Sequence, residues 1–106
     1  MSENLLARVF ATIRARRGAD PKASHTAGLF AAGAPAIAQK VGEEAVETVI
    51  AGLGNDRSAL VRESADLLYH LLVLWAERGV TPDEVLAELA RREGTSGVAE
   101  KGARKG

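Results

Sequence analysis

The sequence contains no cysteine, which excludes a disulfide framework, a catalytic thiolate and a zinc–thiolate site. It has no excess of either charge, because 14 lysines and arginines balance 14 aspartates and glutamates. This balance favours neither a nucleic acid nor a membrane surface as a partner. The sequence also lacks internal repeats and any strand-like alternation of apolar and polar residues. An all-α fold is therefore predicted.

The sequence has no apolar run long enough to cross a membrane. Its longest run, from Leu67 to Ala76, is interrupted by His70 and has about half the length of a spanning helix. No basic segment followed by an apolar one opens the chain, so secretion is not expected. We therefore expect a cytoplasmic protein that binds neither membrane nor nucleic acid.

Apolar residues make up 46% of the 106 residues, a composition typical of one globular domain. The last residues, 94–106, differ because they contain four glycines, scattered charge and no aromatic residue. We predict an all-α domain over residues 1–93, followed by a disordered tail over residues 94–106.

Helical spacing of apolar residues predicts antiparallel helices joined by short connections, forming a helical bundle. The first helix should turn its apolar side chains inward, and Thr81-Pro82-Asp83-Glu84 is the capping box of the last. Ser24 or Thr26 is expected to cap the short helix. The predicted helices cover residues 2–17 (with Leu5, Leu6, Val9, Phe10 and Ile13 inward), 27–32, 35–53, 57–78 and a segment from Pro82 to about Arg92.

The helix predicted over residues 57–78 has almost no polar residue between Leu67 and Ala76. A domain of this size leaves much of its surface exposed and cannot easily cover a helix on every side. We therefore predict a homodimer, or a higher homo-oligomer, that buries part of this stretch between subunits.

Two acidic stretches lie within the long helices. Lys40, Glu43, Glu44 and Glu47 fall within one helical stripe about 100° wide. On the next helix Glu63, Asp66 and His70 share a face. Aliphatic neighbours would remove water from these carboxylates, and a hard divalent cation such as Mg²⁺ is the simplest compensation. Antiparallel packing would bring together Glu44, Glu47, Glu63 and Asp66.

Each of these residues also has a purely structural interpretation. The acids could form a solvated or salt-bridged helix face, and His70 could be a histidine satisfied within the core. Lys40 could be an ion-pair partner one turn from Glu44, or it could hold a phosphate beside a metal.

Two segments, Lys40-Val41-Gly42-Glu43-Glu44 and Ala65-Asp66-Leu67-Leu68-Tyr69-His70, resemble the phosphoribosyl-ATP pyrophosphatase family of histidine biosynthesis. This family belongs to the all-α nucleoside triphosphate pyrophosphatases, and the resemblance spans about residues 5–92. Family members usually have Ser-Tyr-Thr where this chain has Ser24-His25-Thr26. The acidic motif of the superfamily falls on Glu43, Glu44, Glu47, Glu63 and Asp66.

The resemblance implies Mg²⁺-dependent hydrolysis of 1-(5-phosphoribosyl)-ATP to 1-(5-phosphoribosyl)-AMP and pyrophosphate. Water attack on the α-phosphorus requires charge neutralisation and a more acidic water. A carboxylate would accept the water proton, and basic side chains of the N-terminal third would assist with phosphate oxygens. The implied roles are metal binding by Glu44, Glu47, Glu63 and Asp66, catalysis by Glu43, Glu44 and Glu47, and substrate binding by Lys40, Ser24, Thr26 and His70.

Two other functions are compatible with the sequence. A related pyrophosphohydrolase could use the same acids on another nucleoside triphosphate, with a differently shaped pocket. A non-catalytic helical dimerisation module could hold a structural cation or none.

Overall fold

The computed structural model describes residues 2–94, with side chains from residue 5 onward. Within that range the chain forms helices and contains no strand, so the predicted all-α fold of antiparallel helices is confirmed. The helices are α1 (Ser2–Ala15), α2 (His25–Ala32), α3 (Ala34–Leu53), α4 (Arg57–Arg78) and α5 (Pro82–Arg92).

Side-chain caps begin three of the helices. The Ser24 hydroxyl accepts from the backbone N–H of Ala27 at the start of α2, and the Asp56 carboxylate accepts from the first turn of α4. The predicted capping box of α5 is present, because Thr81 and Glu84 each accept from the other's backbone N–H. Gly79 ends α4 in the left-handed region, at φ 73° and ψ 24°. These local signals account for three helix starts and one helix end.

Two predicted boundaries differ from the observed ones. Helix α1 ends at Ala15 because Arg16 and Arg17 donate their backbone N–H groups three residues back, in tight turns. Helix α2 begins at His25 and not at Ala27, because Ser24 is the cap. The long helices α3 and α4 agree with their predicted ranges to within one residue.

The core lies where α1, α2, α3 and α4 meet. Helices α3 and α4 form the most extensive pair, α1 packs on α4, and α5 packs on α1. The inward orientation predicted for Leu5 is wrong within a single chain, because Leu5 lies near the start of α1 and is 48% exposed. The buried apolar cluster consists of Phe10, Ile13, Phe30, Ile37, Leu72 and Val73.

The apolar stretch of α4 is better covered by its own chain than the sequence suggests. Leu72 and Val73 are fully buried, and Leu68 is the most exposed of the ten residues, at 40%. Larger exposed fractions occur on four apolar residues of α3, at helical spacing, and on one residue near the start of α4. These residues, here called the hairpin apolar surface, are Val46, Val49, Ile50, Leu53 and Val61.

None of the helices between residues 2 and 94 is both long and apolar enough to cross a membrane. The predicted cytoplasmic location stays a prediction. The predicted disordered tail lies, apart from Gly94, outside the described residues.

Candidate active site

The acidic residues predicted to bind a metal lie on the two long helices. Glu44 is near the middle of α3, and Glu63 and Asp66 lie one turn apart in the first half of α4. One carboxylate oxygen from each of these three residues lies within 4.8 Å of the other two. Helices α3 and α4 run in opposite directions from the connection at 54–56, so residues distant in sequence meet here. We refer to Glu44, Glu63 and Asp66 as the carboxylate cluster.

Two oxygens of the carboxylate cluster are buried without a hydrogen-bond partner. Glu44 is 6% exposed, and its Oε1 and the Oε1 of Glu63 find no donor among the described residues. A buried acceptor without a donor destabilises a fold. Burial raises the pKa of Glu63, and a hydrogen bond and the charge of Glu47 raise it further. The cluster thus concentrates negative charge that a cation would compensate.

The chemistry of the carboxylate cluster suits a hard divalent cation. All three candidate ligands are carboxylates, the donor type that Mg²⁺ and Mn²⁺ prefer over nitrogen and sulfur. Mg²⁺ usually takes a few carboxylates and completes its coordination with water and substrate phosphates. Three carboxylates would leave positions for those ligands. The two unpartnered oxygens are the observation that favours a bound cation over a solvated surface.

The remaining acids of the predicted stripe occupy different positions. Glu47 is exposed and lies close enough to Glu63 to hydrogen-bond with it, although it is not one of the three clustered residues. Glu43 is exposed and accepts a hydrogen bond from Gln39 Nε2 at 3.2 Å. Consecutive helical residues differ by about 100°, so burial of Glu44 directs Glu43 elsewhere. The structure therefore brings Glu47 to the edge of the cluster and leaves Glu43 outside it.

Lys40 lies beside the carboxylate cluster. Its Nζ is 3.3 Å from Glu44 Oε2, an i,i+4 ion pair, and about a third of its side chain is exposed. The ion pair considered from the sequence is therefore present. An ammonium has three N–H donors, so Lys40 retains donors for a further anion.

The predicted substrate-binding residues of α2 have partners inside the protein. The Ser24 hydroxyl caps α2, accepting from Ala27 at 3.1 Å. Thr26 is 3% exposed, and its hydroxyl hydrogen-bonds the Tyr69 hydroxyl on α4. Of the three residues Ser24, His25 and Thr26, His25 is the most exposed.

His70 connects α2 with the carboxylate cluster. It is 7% exposed, its Nδ1 lies 2.7 Å from the Asp66 carbonyl oxygen, and its Nε2 lies 3.1 Å from His25 Nε2. A carbonyl only accepts, so His70 Nδ1 carries a proton, and in the tautomer with that single proton Nε2 accepts. His25 then donates from Nε2. Burial lowers the pKa of His25, the nearby His70 and Lys40 lower it further, and Glu44 opposes these effects, so the net shift favours a neutral His25.

Arg17, one of the basic residues of the N-terminal third, has its partners at the other end of α4. The Arg17 guanidinium pairs with Glu77 at 3.1 Å and stacks over the Phe30 ring, 4.4 Å from its centroid. Glu77 lies eleven residues after Asp66, about 16 Å along the helix at 1.5 Å per residue. Arg17 therefore joins the turns after α1 to α2 and α4 and is not brought to the carboxylate cluster.

Sequence reasoning missed two residues next to the cluster. Thr48 Oγ1 lies 2.8 Å from the Glu44 carbonyl oxygen and 3.1 Å from that of Glu63. The position of Thr48 one turn after Glu44 indicates the contact within α3. Its contact with Glu63 on α4 can be seen only once the two helices are packed. His25 was noted as a departure from the family pattern, without its contact to His70.

Comparison with known proteins links this geometry to one family. The family model described as phosphoribosyl-ATP pyrophosphohydrolase matches residues 6–93, which include all five helices except the start of α1. The matched range contains Lys40 and every acidic residue discussed above.

Several curated relatives carry the name phosphoribosyl-ATP pyrophosphatase. The protein from Azospirillum brasilense is 60% identical over 105 residues, covering 99% of this chain and 95% of the relative. The protein from Rhizorhabdus wittichii is 66% identical over 93 residues, 88% of each chain. The protein from Rhodobacter capsulatus is 62% identical over 99 residues, covering 93% of this chain and 96% of the relative. The match to the family model and these identities establish that the chain belongs to the phosphoribosyl-ATP pyrophosphohydrolase family.

Proposed function

We propose that this protein hydrolyses 1-(5-phosphoribosyl)-ATP to 1-(5-phosphoribosyl)-AMP and pyrophosphate, a step of histidine biosynthesis, with Mg²⁺ as cofactor. The observation that carries the proposal is the carboxylate cluster with its two buried, unpartnered oxygens. The substrate comes from the names of relatives that match nearly the whole chain. The reaction is a hydrolase reaction and needs no covalent intermediate.

We assign the metal ligands to Glu44, Glu63 and Asp66, with Glu47 completing the site from the edge of the cluster. When bound, Mg²⁺ would neutralise phosphate charge and lower the pKa of an attacking water. In the reaction a water oxygen forms a bond to the α-phosphorus, and the bond from that phosphorus to the bridging oxygen of the pyrophosphate breaks. The chain's own part is to position the triphosphate and to accept the proton of the water.

Glu47 is the carboxylate that best suits the proton-accepting role. It is exposed to water and lies beside Glu63, whereas Glu44 is buried and paired with Lys40. Glu43, the other candidate, accepts from Gln39 outside the cluster. A general base must be within hydrogen-bonding distance of the water that it activates, or one water away. This requirement favours Glu47 over Glu43.

We assign phosphate binding to Lys40, whose remaining donors lie next to the cluster. We further assign contacts with the rest of the substrate to Ser24 and His70, together with His25. Thr26 is buried against Tyr69, so we assign it to holding α2 on α4 and not to direct substrate contact.

A pyrophosphate-release assay with purified protein, Mg²⁺ and phosphoribosyl-ATP tests the proposal. We expect release that depends on Mg²⁺ and is lost with EDTA. A parallel series with dATP, dCTP, dGTP, dTTP and dUTP tests the related activity on other triphosphates. Efficient turnover of one of these without turnover of phosphoribosyl-ATP would replace the proposed substrate, and no turnover of any would favour a binding module.

We further propose that the protein is a homodimer that buries the hairpin apolar surface. Val46, Val49, Ile50 and Leu53 follow the i, i+3, i+4, i+7 spacing of a buried helix stripe, yet each is at least 58% exposed in one chain. An exposed apolar stripe of this length is typical of a protein–protein interface. An obligate homodimer would cover it with the same stripe of a second copy.

Sedimentation velocity at micromolar concentration tests the homodimer, and we expect a dimer or a multiple of one. Ile50→Asp places a charge in the proposed interface and should give monomer or unfolded protein. Leu89→Asp is the matched control, because Leu89 on α5 is similarly exposed, at 58%, but lies outside the hairpin apolar surface. A folded monomer of the wild-type protein would contradict the proposal.

A further inference from the structure

One hydroxyl lies between the two helices that supply the carboxylate cluster. Thr48 Oγ1 lies 2.8 Å from the Glu44 carbonyl oxygen on its own helix and 3.1 Å from the Glu63 carbonyl oxygen on α4. Both acceptors are backbone groups of residues whose side chains belong to the cluster. The hydroxyl is half-buried, so water competes only partly for these contacts.

The contact with Glu44 alone would not be informative. Threonine in a helix often donates to the carbonyl four residues earlier, as Thr48 does to Glu44. The contact with Glu63 is different because it crosses from α3 to α4 over 15 residues of sequence. A hydroxyl has a single proton, so it shares that proton between the two carbonyls or alternates between them. In both cases the hydroxyl can reach the two carbonyls only while α3 and α4 keep this separation and register.

The separation at this point determines how the carboxylates meet. Glu44 and Glu63 are like charges with one unpartnered buried oxygen each, so their repulsion pushes α3 and α4 apart when no cation is bound. The backbone contact through Thr48 opposes that separation without adding charge to the cluster. A cation site requires its ligand oxygens to be held within a few tenths of an ångström of their bonding positions.

We propose that Thr48 is a positioning residue for the cation site, and that its hydroxyl holds the backbones of Glu44 and Glu63 where their carboxylates can share one divalent ion. The inference rests on the metal-dependent function proposed above and names a residue that touches neither ion nor substrate. It acts through the backbone of both ligands, in the manner of the outer-shell groups that orient metal ligands.

Binding of Mn²⁺ alone tests the proposal, with the electron paramagnetic resonance signal of free Mn²⁺ as the readout. Thr48→Val keeps the β-branched shape and removes the hydroxyl, whereas Thr48→Ser keeps the hydroxyl. Loss of an outer-shell group typically weakens metal affinity 10- to 100-fold. We expect Thr48→Val to bind Mn²⁺ at least about tenfold more weakly, and Thr48→Ser to stay within about threefold of wild type.

Ser64→Ala is the matched control, because Ser64 is exposed, directly follows Glu63, and its hydroxyl has no hydrogen bond within the described part of the chain. Its Mn²⁺ affinity should equal that of wild type. Circular dichroism of each metal-free variant measures helix content and melting temperature, which separates loss of fold from loss of the site. If Thr48 only filled space, Thr48→Ser would not keep the Mn²⁺ affinity that Thr48→Val loses. Retained affinity in Thr48→Ser, at unchanged helix content, therefore indicates that the hydroxyl is what matters.

The outcomes separate the two proposals. If wild-type protein binds Mn²⁺ and Thr48→Val binds it equally tightly, the positioning role is wrong and the metal site stands. If Thr48→Val and Thr48→Ser lose affinity equally, the hydroxyl is not the cause and the positioning role is again wrong. If wild-type protein binds no Mn²⁺, the metal-dependent function and this inference are both wrong.

Discussion

Glu88 and Glu63 have the same side chain in opposite electrostatic environments. Glu88 on α5 accepts hydrogen bonds from Arg91 and Arg92 of its own helix, and these lower its pKa to about 2. Glu63 on α4 is half-buried, and its pKa is raised by burial and by Glu47 of α3. The partners of Glu88 are three and four residues further along the same helix. Glu47, by contrast, lies on α3 and is close to Glu63 only because α3 packs against α4.

The two glutamates lie in regions with opposite effects on stability: the locally paired charges of α5 and the carboxylate cluster between α3 and α4. Local pairs such as Glu88 with Arg92 support the helix that contains them. The carboxylate cluster opposes folding, because like charges and unpartnered oxygens are brought together. The apolar core that includes Ile37, Leu72 and Val73 holds α3 and α4 together against that repulsion. A region maintained at a cost in stability is a good candidate for a functional site.

The largest expected effect tests whether the cluster is the functional region. Glu44→Gln and Asp66→Asn should each lower phosphoribosyl-ATP turnover by about a thousandfold or more, because a metal ligand is lost. Helix content should be unchanged and the metal-free melting temperature unchanged or higher, because repulsion is relieved. Pyrophosphate release and circular dichroism provide the two measurements.

Glu88→Gln is the control for these two variants, because it removes an equivalent carboxylate from the locally paired region and should leave turnover unchanged. Activity within a few-fold of wild type in both Glu44→Gln and Asp66→Asn would show that the cluster is not the active site.

Lys40 belongs to both regions, since its ion pair with Glu44 is local in sequence and lies beside the cluster. Lys40→Met keeps the aliphatic stem and should lower the melting temperature by only a few degrees or less. We expect kcat/KM to fall by about ten- to a thousandfold, the scale of one lost charged contact with the transition state. Mn²⁺ should still bind, because Lys40 is not a metal ligand.

Lys22→Met in the exposed loop before α2 is the matched control for the loss of a positive charge. If Lys40→Met and Lys22→Met have the same kinetics as wild type, Lys40 is an ion-pair partner and phosphate binding must be assigned elsewhere.

The two glutamates should have opposite effects on metal-free stability. A raised folded pKa means that ionisation of Glu63 destabilises the native state, so stability falls as pH rises from below the usual value of 4.5 through the raised pKa. For Glu88, stabilisation is present above pH 4.5 and is lost as pH falls towards about 2. At pH 7, Glu63→Gln should therefore raise the melting temperature, and Glu88→Gln should lower it slightly.

Melting curves in EDTA at pH 7 and at pH 4 measure these signs. The effect of Glu63→Gln should shrink at pH 4, where the native wild-type side chain is largely protonated. Added Mg²⁺ should reverse the order of wild type and Glu63→Gln, because the ion stabilises only the complete cluster. Equal melting temperatures of wild type, Glu63→Gln and Glu88→Gln at pH 7 would contradict the contrast between the two environments.

The smallest expected effect concerns residues beyond the family match. Removal of residues 95–106 deletes glycine-rich sequence with little apolar content, so turnover and melting temperature should remain those of the full chain. The same assays measure this variant, and loss of turnover would assign that segment a role that its composition does not indicate.

Most helix ends could be predicted because their causes are local. The capping box at Thr81 and Glu84 forms whenever that segment turns helical, and the range of α4 follows from the Asp56 cap and Gly79. The error at the end of α1 has a local cause too. Bases near a helix end are compatible both with a last α-turn and with the tighter turns that Arg16 and Arg17 adopt.

The sequence predicts which types of residue form the site, but only partly how their side chains are arranged. Helical periodicity places Glu43 and Glu44 on one broad stripe, and the period alone does not decide which of them is buried. The position of α4 decides it, because Glu44 lies against α4 and Glu43 accepts from Gln39. The partners of His25 and Thr26 on α4 likewise depend on how α2 packs.

The sequence by itself determined the helices, their caps, the acidic residues on two neighbouring helices and the family resemblance. These features depend on propensities, periodicity and contacts within a few residues. Only the tertiary structure decided that Glu44, Glu63 and Asp66 meet, that Glu47 lies at their edge and that the Thr48 hydroxyl joins the backbones of two of them. The reason is that the contacts between α3 and α4 join residues 15 or more positions apart, and the helix register that aligns them is set by packing of the apolar core.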